Sequence, residues 1–199
     1  MPFVSDLPSK GEIFKYWKNR LEKLGFFVDW GEPGCWACGF HYNSKYDLRD
    51  SRARWAKVVA KWEKIPLQRC HIVPRSLGGS NKASNLFLMC RECHDLSPNT
   101  ASREVFFDWA RTQCFWHREM AKMKAAMDSF EIEEAHLDEL SDLMRSKKFR
   151  SWAAKRIGRH WPQSGYAPGS SRISYSTMIG LALDYRRTHR SSRTRPRHP

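Results

Sequence analysis

The spacing of apolar residues in the first third of the chain predicts two helices separated by a short strand. Residues 10–24 carry apolar side chains at helical spacing, and Ser9 and Glu12 stand at the separation of a capping box. Residues 26–30 have the apolar content of a short strand, and residues 50–64 carry tryptophan and valine along one helical face. This part of the chain therefore predicts helix, strand and helix in that order.

The pattern changes in the middle of the chain, where two short apolar runs enclose a loop. Residues 67–73 and 86–89 are rich in β-branched and apolar side chains, which indicates two strands. The loop between them, residues 77–84, contains a Gly-Gly pair. Residues 91–96 then begin a short helix, which Pro98 ends. The middle of the chain therefore predicts a strand–loop–strand–helix segment.

The second half of the chain is predicted to be helical. Residues 101–124 and 129–152 have the pattern of two long amphipathic helices. Residues 165–171 are rich in Gly, Pro and Ser and indicate a linker, and residues 177–187 are compatible with a last helix. Together with the two short strands, these helices predict the α+β fold class.

Positive charge is concentrated at the end of the chain. The sequence has 35 Lys and Arg against 21 Asp and Glu, a net charge of +14. Residues 150–199 contain eleven Lys and Arg and one acid, Asp184, so most of the net charge lies there. This predicts a polyanionic partner, and nucleic acid rather than a membrane surface, because no Lys-rich amphipathic helix with lipidation signals accompanies the charge. The arginines expected to contact nucleic acid are Arg186, Arg187, Arg190, Arg193, Arg195 and Arg197.

Two interpretations are open for the basic tail, and two for the acidic block before it. The tail, which has almost no apolar residue after Leu183, is expected to be disordered alone and to settle along phosphates, or else only to add solubility. Residues 128–144 contain seven acids and no Lys or Arg. They form either a solvated helix face or a surface that docks the basic segment or a companion protein.

The length of the chain and its first residues limit which class of protein the sequence can encode. A chain of 199 residues fits one domain with appendages. No apolar run approaches the ~18 residues of a membrane span, and the first residues lack a basic segment followed by an apolar one. We therefore expect a cytoplasmic protein without a membrane partner.

Four of the six cysteines form two Cys-x-x-Cys pairs. Cys35 and Cys38 make the first pair, and Cys90 and Cys93 make the second. Paired knuckles of this spacing bring four thiolates to one tetrahedral ion, which predicts a closed structural zinc site. Two disulfides or unrelated buried thiols are the alternatives. A structural zinc would join the turn before the first pair to the short helix after the second strand.

The segment around the second pair carries a longer motif. It reads HIVPRSLGG at residues 71–79, NL at 85–86 and CRECH at 90–94. In this combination it resembles the HNH endonuclease family, which belongs to the ββα-metal nucleases, over about residues 35–100. The resemblance implies a small ββα core held by the four-cysteine zinc site, surrounded by helices and followed by the basic tail. We accordingly expect an N-terminal helix and strand in 1–30, a nuclease core in 31–100, helices in 101–152 and a DNA-binding extension in 153–199.

Three residues of the motif have the chemistry that phosphodiester hydrolysis needs. His71 is largely neutral at cellular pH and can take a proton from water. Asn85 can accept the other ring N–H with its side-chain carbonyl, or fix the loop that does so. His94 can ligate a divalent ion that also contacts the scissile phosphate. These assignments match the family's general base, orienting asparagine and metal-ligand histidine, and they predict a DNA endonuclease that uses Mg²⁺ or a transition metal such as Mn²⁺ or Ni²⁺.

One position departs from the family's pattern. Cys70 stands where much of the family has an Asp or His that completes the catalytic metal site. It ligates a softer ion, or it is a buried strand residue and the ion relies on His94, or the site has decayed. The alternative function is therefore a zinc-stabilised module that binds DNA or protein without cutting. Arg75, inside the motif, either grips a phosphate or lies on the loop surface.

Overall fold

The computed structural model describes residues 7–42, 55–157 and 173–191. The chain forms two compact units, Met1–Phe115 and Trp116–Pro199. The elements are α1 (Lys10–Trp17), α2 (Trp55–Lys64), β1 (Gln68–His71), β2 (Leu86–Met89), α3 (Arg91–Leu96), α4 (Arg103–Thr112), α5 (Phe115–Ser129), α6 (Leu137–Arg145), α7 (Lys147–Ala153) and α8 (Tyr175–Ser191). This mixture of helices with a small sheet confirms the α+β class. The four-part division of the chain stays a prediction, and the expected linker at 165–171 lies outside the described residues.

Helix α1 begins where the sequence predicts and ends earlier. The Ser9 side chain accepts from the backbone N–H of Glu12, whose carboxylate accepts from the backbone N–H of Ser9, so the capping box is complete. The helix ends at Trp17, because the next backbone bonds tighten to a three-residue spacing, and a 3₁₀ turn at Glu22–Leu24 follows. Gly25 closes this turn in the left-handed conformation, with φ of 81°.

The two strands form an antiparallel hairpin in which His71 pairs with Leu86. Strand β2 is fully buried and coincides with the predicted strand. Strand β1 ends at His71 rather than at Val73, because the backbone N–H and C=O of Val73 both bond to the side chain of Asn85. Helix α3 follows the hairpin directly and coincides with the predicted helix.

Aromatic packing fixes the hairpin in the core of the first unit. The indole N–H of Trp17 donates to the carbonyl oxygens of Leu86, at 2.7 Å, and Ala83, at 2.9 Å, which ties α1 to the start of β2. Phe87 is fully buried, and its ring lies edge-on to that of Trp36 with centroids 5.1 Å apart. The position of the HNH-like motif is therefore set by a packed core.

The prediction of a strand at residues 26–30 is wrong, because these residues form no strand in the structure. Their backbone groups bond to partners other than a neighbouring strand: the N–H of Phe26 bonds to the carbonyl of Leu21, and the carbonyl of Trp30 accepts from the indole of Trp62 on α2. The side chain of Asp29 accepts from the backbone N–H of Gly31 and forms a tight turn.

The two long helices predicted in the second half are each divided. Gln113 has an extended backbone after α4, and the N–H of Phe115, which begins α5, bonds to the carbonyl of Cys38. Ser146 ends α6 in an extended conformation and caps α7, since its hydroxyl accepts from the N–H of Phe149 at 3.1 Å. No helix among the described residues is long and apolar enough to cross a membrane.

Helix α8 brings part of the basic segment against the acidic block. Ala182 of α8 is fully buried in a cluster with Leu140 of α6 and Phe149 of α7. At the edge of this cluster the guanidinium of Arg186 lies 3.0 Å from the carboxylate of Glu139. One acid of the block, Glu139, therefore pairs with the basic segment, whereas all seven acids are exposed, as expected of a solvated face. A companion protein on this surface stays a prediction.

The prediction that the basic tail is disordered is wrong for its first part, which forms the end of α8. Arg186, Arg187 and Arg190 belong to α8. The buried face of the helix, with Ala182 and the ring of Tyr185 against Phe149, orders this stretch. The remaining three arginines, Arg193, Arg195 and Arg197, lie outside the described residues.

Candidate functional site

The first cysteine pair lies in a tight turn held against β2. The N–H of Cys35 bonds to the carbonyl of Phe40, and the N–H of Gly39 bonds back to the carbonyl of Cys35. Gly39 has φ of 75°, a conformation that glycine adopts without strain. The N–H of Trp36 donates to the carbonyl of Leu88 at 3.0 Å, so the turn is fastened to the second strand.

The second cysteine pair begins α3 and completes a four-sulfur cluster. Cys90 is the N-cap, and its sulfur accepts from the N–H of Cys93 at 3.4 Å. All four sulfurs lie within 4.8 Å of one another, and those of Cys38 and Cys90 are 3.9 Å apart. A tetrahedral zinc with ~2.3 Å bonds places its sulfurs ~3.8 Å apart, so the geometry fits. The predicted cluster is confirmed, and the exposed His41 is not among its ligand groups.

Electrostatics of the cluster also favour a bound cation. Burial raises the pKa of the Cys35 thiol, whereas hydrogen bonds from the neighbouring thiols lower the pKa of Cys90 strongly. Burial and the adjacent sulfurs raise the pKa of Tyr42. Four thiolates packed this closely repel one another unless a cation neutralises them, and a structural metal ion such as zinc supplies that charge.

His71 is half-buried at the end of β1 and bonds to a residue of the hairpin loop. Its Nε2 lies 3.0 Å from Oδ1 of Asn81. With the amide oxygen as acceptor, Nε2 carries the ring proton and Nδ1 presents a lone pair. Asn81 was not predicted from the sequence, although an asparagine two residues after the Gly-Gly pair is a signal of a side chain able to reach back to the strand.

Asn85 is buried and holds the loop without contacting His71. Within the described ranges it is the one buried polar side chain, 4% exposed. Its Oδ1 accepts from the N–H of Val73, and its Nδ2 donates to the carbonyls of Val73 and Ser80 at 2.8 and 2.9 Å. Asn85 was expected either to accept the ring N–H of His71 or to fix the loop, and these bonds match the second role.

Arg103 supports the same loop from α4, and it too was not predicted from the sequence. Its guanidinium donates to Oδ1 of Asn85 at 3.3 Å and to the carbonyl of Ser84 at 3.1 Å. Arg103 therefore links the helix after the motif to the loop inside it. Only a long-range contact reveals this role, because nothing near Arg103 in the sequence indicates it.

Cys70 lies on β1, and its buried side chain contacts Ser97 at the end of α3. It is 3% exposed, and its sulfur lies 3.4 Å from the hydroxyl of Ser97. Burial raises the pKa of the Cys70 thiol, and among the described residues its sulfur is not part of a cluster of metal-ligand groups. Of the three interpretations, this environment favours a packed strand residue.

His94 lies on α3 with its side chain 41% exposed. Its Nδ1 is 3.3 Å from the carboxylate of Asp95, so Nε2 is the nitrogen that could hold a cation. Asp95 also accepts from the guanidinium of Arg91, and these bonds hold the pKa of its carboxyl below the usual range. The contact between Cys70 and Ser97 joins the two elements that carry His71 and His94.

The hairpin, the loop and α3 lie in the part of the chain that a comparison with known families matches. Residues 63–105 match the HNH endonuclease family. The match includes His71, Asn85, His94 and the second cysteine pair, and it confirms the resemblance recognised in the sequence. The first cysteine pair lies before it. Comparison with curated proteins and comparison with solved structures each give no match.

The HNH match supports a nuclease-type function with DNA as the substrate.

The loop between β1 and β2 has a tightly folded Gly-Gly turn. A Cβ on Gly79 would lie 1.7 Å from the carbonyl oxygen of Val73, so only glycine fits there, and Gly78 has φ of 87°. Arg75 is exposed on the short helical turn that enters this loop. The HNH loop therefore presents a cation to solvent while its backbone is fixed from inside.

Proposed function

We propose that the protein is a metal-dependent HNH endonuclease that hydrolyses DNA phosphodiester bonds. In this proposal His71 takes a proton from the attacking water, and His94 holds the catalytic divalent cation. The observation that carries it is the 3.0 Å contact between His71 Nε2 and Asn81 Oδ1. In a neutral imidazole this contact places the ring proton on Nε2 and leaves Nδ1 as the nitrogen that can accept a proton, as a general base requires.

The residues around His94 indicate which cation the site prefers. A divalent cation beside the scissile phosphate stabilises the charge that develops on the leaving oxygen. His94 offers an imidazole nitrogen, and the buried Cys70 thiol is bonded to Ser97. An imidazole ligand suits Ni²⁺ better than Mg²⁺, so we expect Ni²⁺ to support faster cleavage than Mg²⁺.

The test is relaxation of supercoiled plasmid by the zinc-loaded protein with Mg²⁺, Mn²⁺ or Ni²⁺. We expect the native protein to nick DNA and His94→Ala to cleave at least ~100-fold more slowly at equal metal concentration, because this substitution removes a metal ligand. His136→Ala, which removes an exposed histidine outside the HNH segment, is the matched control and is expected to retain the native rate.

Two results would oppose this function. Equal rates for His94→Ala and the native protein would contradict the role of His94. If the zinc-loaded native protein nicks no plasmid with any of the three cations, the chain is instead a zinc-stabilised module that binds DNA or protein without cutting.

DNA affinity in this proposal comes mainly from the basic end of the chain. Arg186 is already paired with Glu139, so five of the six predicted arginines remain as candidates for binding phosphates. Arg193, Arg195 and Arg197 are the last three of these five. Changing Arg193, Arg195 and Arg197 together to glutamine should weaken binding and lower the slope of log K against log salt by about 0.9 for each phosphate that the variant no longer neutralises.

Fluorescence anisotropy of a labelled duplex at several salt concentrations measures this slope. The same three positions changed to lysine give the control, because the charge is kept and the slope should stay close to native. A glutamine variant with the native slope would show that the tail does not neutralise phosphates.

A further inference from the structure

We infer that Asn81 is the residue that positions His71 for proton transfer, an inference that rests on the proposed endonuclease function. The two side chains meet across the hairpin loop, with Asn81 Oδ1 3.0 Å from His71 Nε2. Asn81 is ten residues from His71 in sequence, and the fold brings it to the ring.

The contact matters because a neutral imidazole has two tautomers. Only the nitrogen without the proton can accept one from water, and the hydrogen bond at the other nitrogen decides which that is. An amide oxygen fixed at Nε2 accepts the ring N–H and leaves the lone pair on Nδ1. An amide also carries no charge, so it orients the ring without adding a carboxylate beside a DNA phosphate.

The loop holds Asn81 from both sides. The carbonyl of the preceding residue, Ser80, accepts from the side chain of Asn85 at 2.9 Å. The carbonyl of the following residue, Lys82, accepts from the backbone N–H of Asn85 at 2.8 Å. Asn85 therefore acts on His71 through Asn81: it fixes the backbone that aims the Asn81 amide at the ring.

This series of hydrogen bonds continues into α4. Arg103 donates to Asn85 Oδ1 and to the carbonyl of Ser84, so the loop is tied to a helix as well as to the hairpin. Because the loop is fixed at these points, it needs little rearrangement when His71 takes a proton from the water. The general base is thus held by a loop residue, and the buried asparagine of the motif supports that residue.

The test is the ¹⁵N NMR signature of the His71 ring in the zinc-loaded protein, at a pH where the imidazole is neutral. We expect the native protein to carry the proton on Nε2. Asn81→Ala should raise the fraction protonated on Nδ1, whereas Asn81→Asp, which keeps an acceptor oxygen, should retain the native tautomer. Asn99→Ala, which removes an exposed asparagine elsewhere in the segment, is the matched control and should not change the spectrum.

Plasmid cleavage provides the second readout. The rate should fall about 10- to 100-fold in Asn81→Ala, as for other residues that orient a functional imidazole. Asn81→Asp restores the acceptor oxygen but adds a negative charge near the phosphate, so it should recover only part of the rate. Zinc content identifies any variant that fails to fold, and Asn81→Asp then carries the test, because a native tautomer in that variant supports the inference and a proton on Nδ1 overturns it.

The NMR result separates this inference from the proposed function. A native ring with its proton on Nδ1, or a folded Asn81→Ala with the native tautomer, overturns the role of Asn81. If the tautomer shifts as expected while the native protein cuts no DNA with any cation, Asn81 does position His71 and the endonuclease function is overturned.

Discussion

Cys90→Ser is expected to abolish metal binding and to unfold the HNH segment. Serine is a favoured N-cap residue, so this change preserves the cap of α3 and removes only the sulfur ligand. The binding free energy of a structural zinc is folding free energy, about 10–16 kcal/mol in zinc-finger peptides. A loss of this size equals or exceeds the ~5–15 kcal/mol stability of an ordinary domain.

The measurements are zinc content per chain and hydrogen exchange at the amide of Trp36. That amide donates to Leu88 and reports whether the first cysteine turn is still fastened to β2. We expect the variant to contain no zinc and to lose protection at Trp36, and a strong chelator should have the same effect on the native protein. A Cys90→Ser protein that keeps its zinc and its protection would contradict a structural role for the cluster.

Cys114→Ser is the matched control for this experiment. Cys114 is half-buried and lies outside the four-sulfur cluster. Its substitution should leave the zinc content unchanged and shift the free energy of unfolding by no more than about 1 kcal/mol. Parallel losses in both cysteine variants would show that the effect is not specific to the metal site.

His71→Ala is expected to lower the rate of DNA cleavage by about 10²- to 10⁴-fold, the usual contribution of a general base. The fold should survive, because His71 is half-buried, its side chain bonds to a loop residue, and the zinc ligands lie on other residues. The measurement is single-turnover cleavage of a labelled duplex, with zinc content determined on the same sample.

His41→Ala serves as the control for that substitution. His41 is an exposed histidine beside the first cysteine turn, so its removal shows any general effect of losing an imidazole from the first unit. We expect native cleavage from this variant. If both histidine variants lose the same activity, the loss reflects folding rather than proton transfer.

The parts of the site that the sequence predicts are those set by local spacing. The spacing of each Cys-x-x-Cys pair is enough to place its two sulfurs close together, the first pair in a tight turn and the second at the start of α3. The bounds of β2 and α3 follow from a continuous apolar run and from a cysteine cap. For the same reason the motif that resembles the HNH family could be recognised before the structure.

The parts that the sequence did not predict depend on contacts across the loop and the core. Asn81 and Asn85 are both asparagines near the Gly-Gly turn, and only the folded loop shows which of them meets His71. Residues 26–30 pair with no strand of the described ranges, and the carbonyl of Trp30 accepts a hydrogen bond from the indole of Trp62. The break at Ser146 is likewise decided by its hydroxyl, which caps a new helix.

Nicking of supercoiled plasmid by zinc-loaded native protein and by zinc-loaded His71→Ala, side by side with Mn²⁺, tests whether His71 is the general base of a nuclease. We expect the native protein to nick the plasmid and the variant to do so at a rate at least ~100-fold lower at equal zinc content. Equal rates in the two proteins, or no nicking by either, would contradict this role.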